Sequence, residues 1–553
     1  MKKIAEPYEN FNEKIRNFPR LYWLKLYIKY FFFQKKLRTS LKGIVSLNLE
    51  PHPKLKNNIF IPLLETSHYQ YHQVLILAKA LEQRGANVMV LVCDSFLPGC
   101  EIKSVKNESI QDPCLNCRFN QSHIVDLYDL NILKLSSLFN SKELSEIKEQ
   151  ADAIINSSST KMKYGDEEIT QIINDSITRY YYGGKPESEQ DGNKIMFNHV
   201  FTTIIGFLAS KKIDKSFKPD TIINSMPTYS TWRPYFQYFE KNILVKIFTV
   251  SITQFNYHSI IMNNMELYYS NVRYLLYKDN RKNNTLDTRE FKELESFINQ
   301  IKSGDSRIFS DWGYFNNDES NISKALNLDK SKTNVFLFSN IYWDIGISDC
   351  STIYESVIEW VLDTIRIISN NSKMHLFIKI HPGEVFDSAS SIKGMKDHIY
   401  ERYPVLPLNV TLIMPELKIN TYNLFSYIDL GIVYNGTVGL EMLLDEIPVI
   451  ITGKSPYSDL NLVSEPKTKT DYEQMINDSS ELLIAKKVDV ELFAYFYFIK
   501  TCIPWNLTKS AYADDFKEFT FDSLEDILPG ENKYLDHICN CVLKPEETII
   551  EAW

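Results

Sequence analysis

The sequence predicts an α/β chain built from two parallel-sheet domains, and three observations carry that prediction. At 553 residues the chain exceeds what a single hydrophobic core usually holds. In two separate stretches, beginning near 58 and near 332, short apolar runs alternate with amphipathic segments, the pattern of β-α-β units. Polar and small residues cluster just after the apolar runs, at strand carboxyl ends, where open α/β sheets bind their ligands. The boundaries expected are an N-terminal aromatic and basic segment at 1–57, a first domain at 58–300, a second at 331–490 and a helical tail at 491–553.

Composition narrows the function. A net charge of -9 argues against a nucleic-acid partner held through its phosphates. Eight cysteines in so long a chain, most of them unclustered, do not make a secreted disulfide scaffold and favour a reducing cytoplasm.

In chain order, the run Phe18 to Lys36 interleaves aromatic residues with lysines. It is too short and too charged to span a bilayer, and no cleavage pattern of small residues follows it. Two readings remain for 18–38: a helix in a membrane interface, with Lys35, Lys36 and Arg38 favouring anionic lipid, or a helix packing its aromatic face on the body of the protein.

The first domain opens with the strand IFIPLLE, a polar turn from Thr66 to Gln73, a helix closed by Gly85 and the strand NVMVLVCD. The turn lacks the glycines of a dinucleotide fingerprint, so NAD or FAD is not expected. Glu65 and His68 lie at or just beyond the strand's carboxyl end, where a base would meet an acceptor hydroxyl, and Asp94 ends the second strand. Each is also an ordinary surface or capping residue type. Cys114 and Cys117 have the spacing of a zinc knuckle, and Cys100 with Cys93 or His123 would complete a tetrahedron, a structural rather than a catalytic site. Cys93, at a strand end, equally reads as a buried small apolar side chain. Residues 144–182 read as helical, 183–193 as a polar loop, and DTIINS, a helix near 231–241 and ILVKIFTVSI repeat the β-α-β logic. The charged stretch from Tyr277 to Lys302 reads as the connection between domains.

The second domain alternates strictly: strand NVFLFSN, an amphipathic helix from Thr352, strand HLFIKI, strand VTLIMP, a helix at 422–428 and strand DLGIVY. Two strand ends there stand out. One carries Lys379, His381, Pro382 and Glu384, bringing cationic and titratable groups to a sheet's ligand edge. The other turns through Asn435, Gly436 and Thr437 into a helix from Val438 to Leu444, whose first N–H groups and dipole favour an anion. Gly436 and Gly439 would admit a ligand close to the backbone, and Glu441, one helical turn on, would reach a ribose. A glycine-rich strand-turn-helix is also simply how an α/β unit is built; the two ends together make a phosphate clamp.

Two Rossmann-like domains with a phosphate clamp in the second are what a GT-B glycosyltransferase needs, its parallel sheets facing across a cleft and C-terminal helices closing the chain. His-Pro-Gly-Glu after a strand, the turn Asn435-Gly436-Thr437-x-Gly439-x-Glu441, the Pro-Val-Ile strand and the loop from Gly453 to Tyr457 resemble the bacterial capsule polysaccharide biosynthesis family, which includes Kdo-transferase-like enzymes. RGANVMVLVCDSFLPGCE followed by C-x-x-C is similar to a subset of that family. The resemblance implies that His381 contacts the donor phosphate, that Asn435, Gly436 and Thr437 flank it, and that Glu441 serves the donor's sugar or ribose. Many members carry two serines where this turn has Asn435-Gly436, so CMP-, UDP- and GDP-sugars all stay open as donors.

The reading that follows is a metal-independent, inverting transfer of sugar from a nucleotide-sugar donor to a glycan or lipid-linked glycan of a capsule or lipopolysaccharide type, in the cytoplasm or at the inner face of its membrane. No cofactor is required for the chemistry, and structural zinc is the one ion expected. Glu65 or His68 is the base, with Asp94 third. A CDP-glycerol-type glycerophosphotransferase, a UDP-sugar 2-epimerase and a non-catalytic scaffold of a polysaccharide assembly complex are the alternatives.

Overall fold

The computed structural model describes residues 20–25, 27–28, 57–66, 70–107, 113–123, 125–157, 159–224, 228–241, 244–253, 256–262, 272–303, 322, 326, 328–329, 331–344, 350–385, 390–417, 419–478, 482–500, 503–504, 507 and 524–544. Contacts divide the chain into two compact units. The first holds Met1–Tyr181, Lys185–Met265 and Ile503–Trp553, the second Tyr182–Gly184 and Glu266–Cys502.

In the first unit, β1 (Asn58–Leu63), the helix Gln70–Gln83 and β2 (Asn87–Val92) make a β-α-β unit with Asn58 opposite Asn87. Ile59, Phe60 and Ile61 are buried on both faces of β1, as a central parallel strand requires. Gly85 ends the helix at φ 90°, a left-handed conformation that glycine adopts without penalty. β3 (Asn131–Lys134) pairs beyond β2, and the hairpin of β4 (Lys163–Tyr164) and β5 (Glu167–Glu168) stands apart from the sheet. β6 (Thr221–Asn224) lies on the other side of β1, followed by β7 (Leu244–Thr253) and the antiparallel β8 (Asn256–Met262). The parallel part therefore runs β3-β2-β1-β6-β7, with the direction of winding reversing at β1.

One large element was not legible in the sequence. The helix Glu189–Phe217 begins inside the stretch read as a polar loop, with the Ser188 side chain accepting from Asp191 N–H. Its residues from His199 to Phe207 are buried at every successive position, so no 3.6-residue period marks it. Gly206 lets it cross the helix Tyr229–Phe239 closely, for a Cβ there would stand 2.7 Å from Pro234 Cβ.

The second unit is the all-parallel five-stranded sheet of β9 (Thr333–Phe338), β10 (Met374–Lys379), β11 (Val410–Ile413), β12 (Leu430–Val433) and β13 (Val449–Ile451), in the order β11-β10-β9-β12-β13. The helix Val357–Ser369, capped by Ser356, covers one face through Trp360, Val361 and Ile365, and Trp360 Nε1–H donates to Tyr472 Oη at 3.2 Å. The helix expected at 422–428 is a 3-10 helix, Thr421–Tyr427.

Two boundaries move. The helices Val272–Asp279 and Thr288–Ser303, read as part of the first domain or a connection, belong to the second unit, where Tyr495 Oη–H donates to Glu293 at 2.9 Å and Tyr274 packs edge-on to Phe493 at 4.9 Å. The expected tail also splits. The helix Lys487–Tyr495 stays in the second unit, whereas β14 (Ile503–Pro504) pairs antiparallel with β8, and the helix Lys533–Leu543 packs on the first unit's core. Arg84 fastens that return through Ile527 O at 3.0 Å and an ion pair with Asp536. Among the described residues, no helix is long and apolar enough to cross a membrane.

Candidate functional site

In the second unit the winding reverses at β9, so the crevice favoured for ligands opens at the carboxyl ends of β10, β9 and β12. Lys379 and His381 lie at the end of β10, and Asn435, Gly436 and Thr437 follow β12. Ser339, just past β9, ties two strand ends together: its N–H donates to Lys379 O and its Oγ accepts from His381 N–H, both at 3.1 Å.

Lys379 ends β10, a strand buried at all six positions. Burial pushes its ammonium down to about 8, and among the described residues Nζ has no hydrogen bond or ion pair. A buried cation without a protein partner is unfavourable unless an anion completes it. His381, two residues on, is held down to about 4 by burial and by the Lys379 charge, so its ring is neutral. Nδ1 accepts from Gly383 N–H at 3.1 Å, which leaves the proton on Nε2. A Cβ on Gly383 would lie 2.7 Å from Ile341 Cδ1, so a larger residue there would displace that side chain. Pro382 opens the short 3-10 turn Pro382–Val385 that carries the chain away.

Glu384 does other work. Both its oxygens accept from Met395 N–H, at 3.1 and 2.9 Å, at the start of the helix Met395–Arg402. Burial pushes the carboxyl up to about 7. It is a buried cap on a helix rather than a group facing the crevice.

At β12 the turn is rigid. Asn435 Oδ1 accepts from Asn340 Nδ2–H at 2.8 Å and Asn435 Nδ2–H donates to the buried Cys350 Sγ at 3.0 Å, so this side chain bridges the ends of β9 and β12. Gly436 O accepts from Tyr457 Oη–H at 2.6 Å. A Cβ on Gly436 would meet only Val438 Cγ1, at 3.6 Å, whereas one on Gly439 would stand 2.3 Å from Tyr457 Oη. Space for a ligand therefore lies at Gly436, and Gly439 serves packing. Glu441, buried at the helix Val438–Leu444, is pushed up to about 6 by burial, against the hydroxyls of Tyr422 and Thr437 and the Lys302 charge.

In the first unit the winding reverses at β1, and Glu65 and Thr66 follow that strand. The helix Leu115–His123 is lashed to this end. Thr66 N–H donates to Cys117 Sγ at 3.5 Å, Thr66 Oγ1–H to Cys117 O at 3.1 Å, and Asn120 Nδ2–H to Thr66 O at 2.6 Å. Asp94, at φ 45°, is committed to a cap: its Oδ1 accepts from Ser136 N–H at 3.2 Å and its Oδ2 from Ser136 Oγ–H. His68 lies outside the described residues. Glu101, absent from the residues expected at the site, buries its carboxyl, which burial pushes up to about 7 against the pull of Thr231 and Arg179, with Glu65 adding to the push. Its only sequence signal is an acidic residue directly after Cys100 near a strand's ligand end.

The cysteines proposed for zinc are buried or half-buried thiols. Burial raises Cys93 to about 11 and holds Cys100 and Cys117 well above the usual thiol range. Among the described residues, no three His, Cys, Asp or Glu side chains are disposed to hold a metal ion.

Sugar-transferring and nucleotide-sugar enzymes are among the solved structures similar to this chain. They include two KpsC Kdo transferases of Thermosulfurimonas dismutans, the beta Kdo 2,4 transferase (16% identity, 56% of this chain and 87% of that one, TM-score 0.34) and the beta Kdo 2,7 transferase (13%, 58% and 84%, TM-score 0.31). A UDP-GlcNAc 2-epimerase from Neisseria meningitidis bound to UDP-GlcNAc is also similar, at 10% identity over 80% of this chain and 98% of that one, TM-score 0.26. No protein-family model and no curated protein matches the chain. The α/β assignment rests on the strand order of the two sheets themselves.

Proposed function

We propose that this chain is a glycosyltransferase that moves a sugar from a nucleotide-sugar donor to a surface-polysaccharide acceptor, a glycan or lipid-linked glycan, by inverting displacement. The observation that carries the reading is Lys379: a buried ammonium without a partner among the described residues, beside a neutral His381 donor at the sheet's ligand edge. Such a pair stabilises the charge that develops on a departing nucleotide phosphate. The acceptor oxygen attacks the anomeric carbon as the bond from that carbon to the phosphate oxygen breaks. The bonding pair leaves with the phosphate, and the acceptor proton passes to a base. Glu65, with Glu101 beside it, is our choice for that base. Lys379, His381 Nε2–H and the N–H groups after Gly436 supply the positive charge, so no step is routed through a metal.

An epimerase would need acid groups free to move protons about the donor. Glu384 caps a helix and Glu441 faces hydroxyls, which favours transfer. The test is incubation of the full chain with CMP-, UDP- and GDP-sugars, with and without an oligosaccharide acceptor fraction, followed by mass spectrometry. Acceptor-dependent release of one nucleotide, lost in His381→Gln, is expected. Interconversion of sugars without an acceptor would instead identify an epimerase.

A further inference from the structure

The helical residues 20–25 and 27–28 have two opposite faces. Tyr22, 6% exposed, and Trp23 pack on Leu115 and Phe119, with the Trp23 ring edge-on to Phe119 at 5.2 Å and to His123 at 5.3 Å. Directly across the helix Leu21, Leu24 and Ile28, at 56, 54 and 64% exposure, form one stripe at i, i+3 and i+7. Lys25 and Arg20 flank it, and Tyr27 lies at its edge.

We infer that this stripe is the face with which the protein docks on a bilayer carrying anionic lipid. Residues 18–38 contain six lysines and arginines and no carboxylate, although the whole chain is at -9. A narrow aliphatic face of Leu21, Leu24 and Ile28, flanked by Arg20 and Lys25 with Tyr27 at its edge, matches the headgroup boundary, where apolar side chains enter the acyl region and cationic side chains meet phosphate. Charge complementarity selects the lipid over a second copy of this chain, since self-association through this face would bring two strongly basic segments together. The docked helix rests on Leu115–His123, the helix bound to Thr66 at the carboxyl end of β1, so a membrane contact here lies at the end of the first unit that carries Glu65. Delivery of a lipid-linked acceptor to that end rests on the transferase reading; the docking itself does not.

The test is co-sedimentation of the full chain with vesicles of phosphatidylcholine alone and of equimolar phosphatidylcholine and phosphatidylglycerol. The variants are Leu21→Ser/Leu24→Ser/Ile28→Ser and Lys25→Glu, all at exposed or flanking positions, with Tm and nucleotide binding read on the same preparations. The wild type should pellet with the anionic vesicles only, less so in high salt. Lys25→Glu should weaken that binding by about fivefold or more, and the triple variant should abolish it, with Tm and nucleotide binding unchanged. No binding to anionic vesicles, or binding undiminished in the triple variant, would overturn the inference. Loss of self-association by light scattering, without loss of vesicle binding, would assign the stripe to a second copy instead.

Discussion

Lys379 holds the site's charge at the expense of the fold. Its folded pKa, about 8, lies below the ordinary 10.5, so below pH 8 the folded state carries the full penalty of a buried cation. Lys379→Met should therefore raise stability at pH 7 by up to about 3 kcal/mol in urea unfolding, while removing nucleotide binding. As pH rises from 8 towards 10.5 the folded lysine deprotonates before the unfolded one, and that difference should shrink. Nucleotide affinity of the wild type should fall through pH 8, because His381, held near 4, does not titrate there. Glu384 shows the opposite sign. Its carboxyl, raised from 4.5 to about 7, keeps its proton in the folded state after the unfolded chain has lost it. The wild type should thus lose stability relative to Glu384→Gln as pH rises from about 4.5 to 7, a trend absent if the carboxyl is solvated.

At the scale of elements, the two glycines after β12 divide the labour of the turn. Gly436→Ala meets open space and should change Tm little, within about 0.5 kcal/mol of stability, yet weaken nucleotide binding. Gly439→Ala drives a methyl into Tyr457 and should destabilise by about 1–3 kcal/mol in chemical unfolding. The sequence could not separate these roles, because the partner, Tyr457, is placed only by the fold. Strand ends were legible: Lys379 ends β10 and the 435–441 turn follows β12, because polar residues after an apolar run mark where a strand stops. The same rule applied to NVFLFSN would have found Ser339 and Asn340, which stitch β9 to β10 and β12. Glu384 and Asp94 were legible as carboxylates near a site but not as caps, since a cap is defined by the N–H it meets.

At the scale of the whole molecule, the alternating pattern predicted mostly parallel sheets, and both sheets wind outward from their first strand in the same order, which that pattern does not specify. The pattern could not show that the chain returns to the first unit at Ile503, because a two-residue strand and one helix leave almost no periodic signal. Nor could it place Thr288–Ser303, whose buried face is only Leu294 and Ile301. Hydrogen exchange of the full chain with nucleotide alone should show protection at 339–344, 379–385 and 434–441 of the second unit and none in the first. Equal protection in both units would mean that the donor is not held by the second unit's strand ends.

In the proposed function, Lys379 and His381 form an anion site for a nucleotide. Titration calorimetry of the full chain with CMP, CDP, UDP, GDP and TDP at pH 7, repeated on Lys379→Met and His381→Ala, tests it most directly. One nucleotide should bind the wild type and raise its Tm by mass action, and both variants should fold but not bind it. A nucleotide that binds all three proteins equally, or none that binds the wild type, would contradict it.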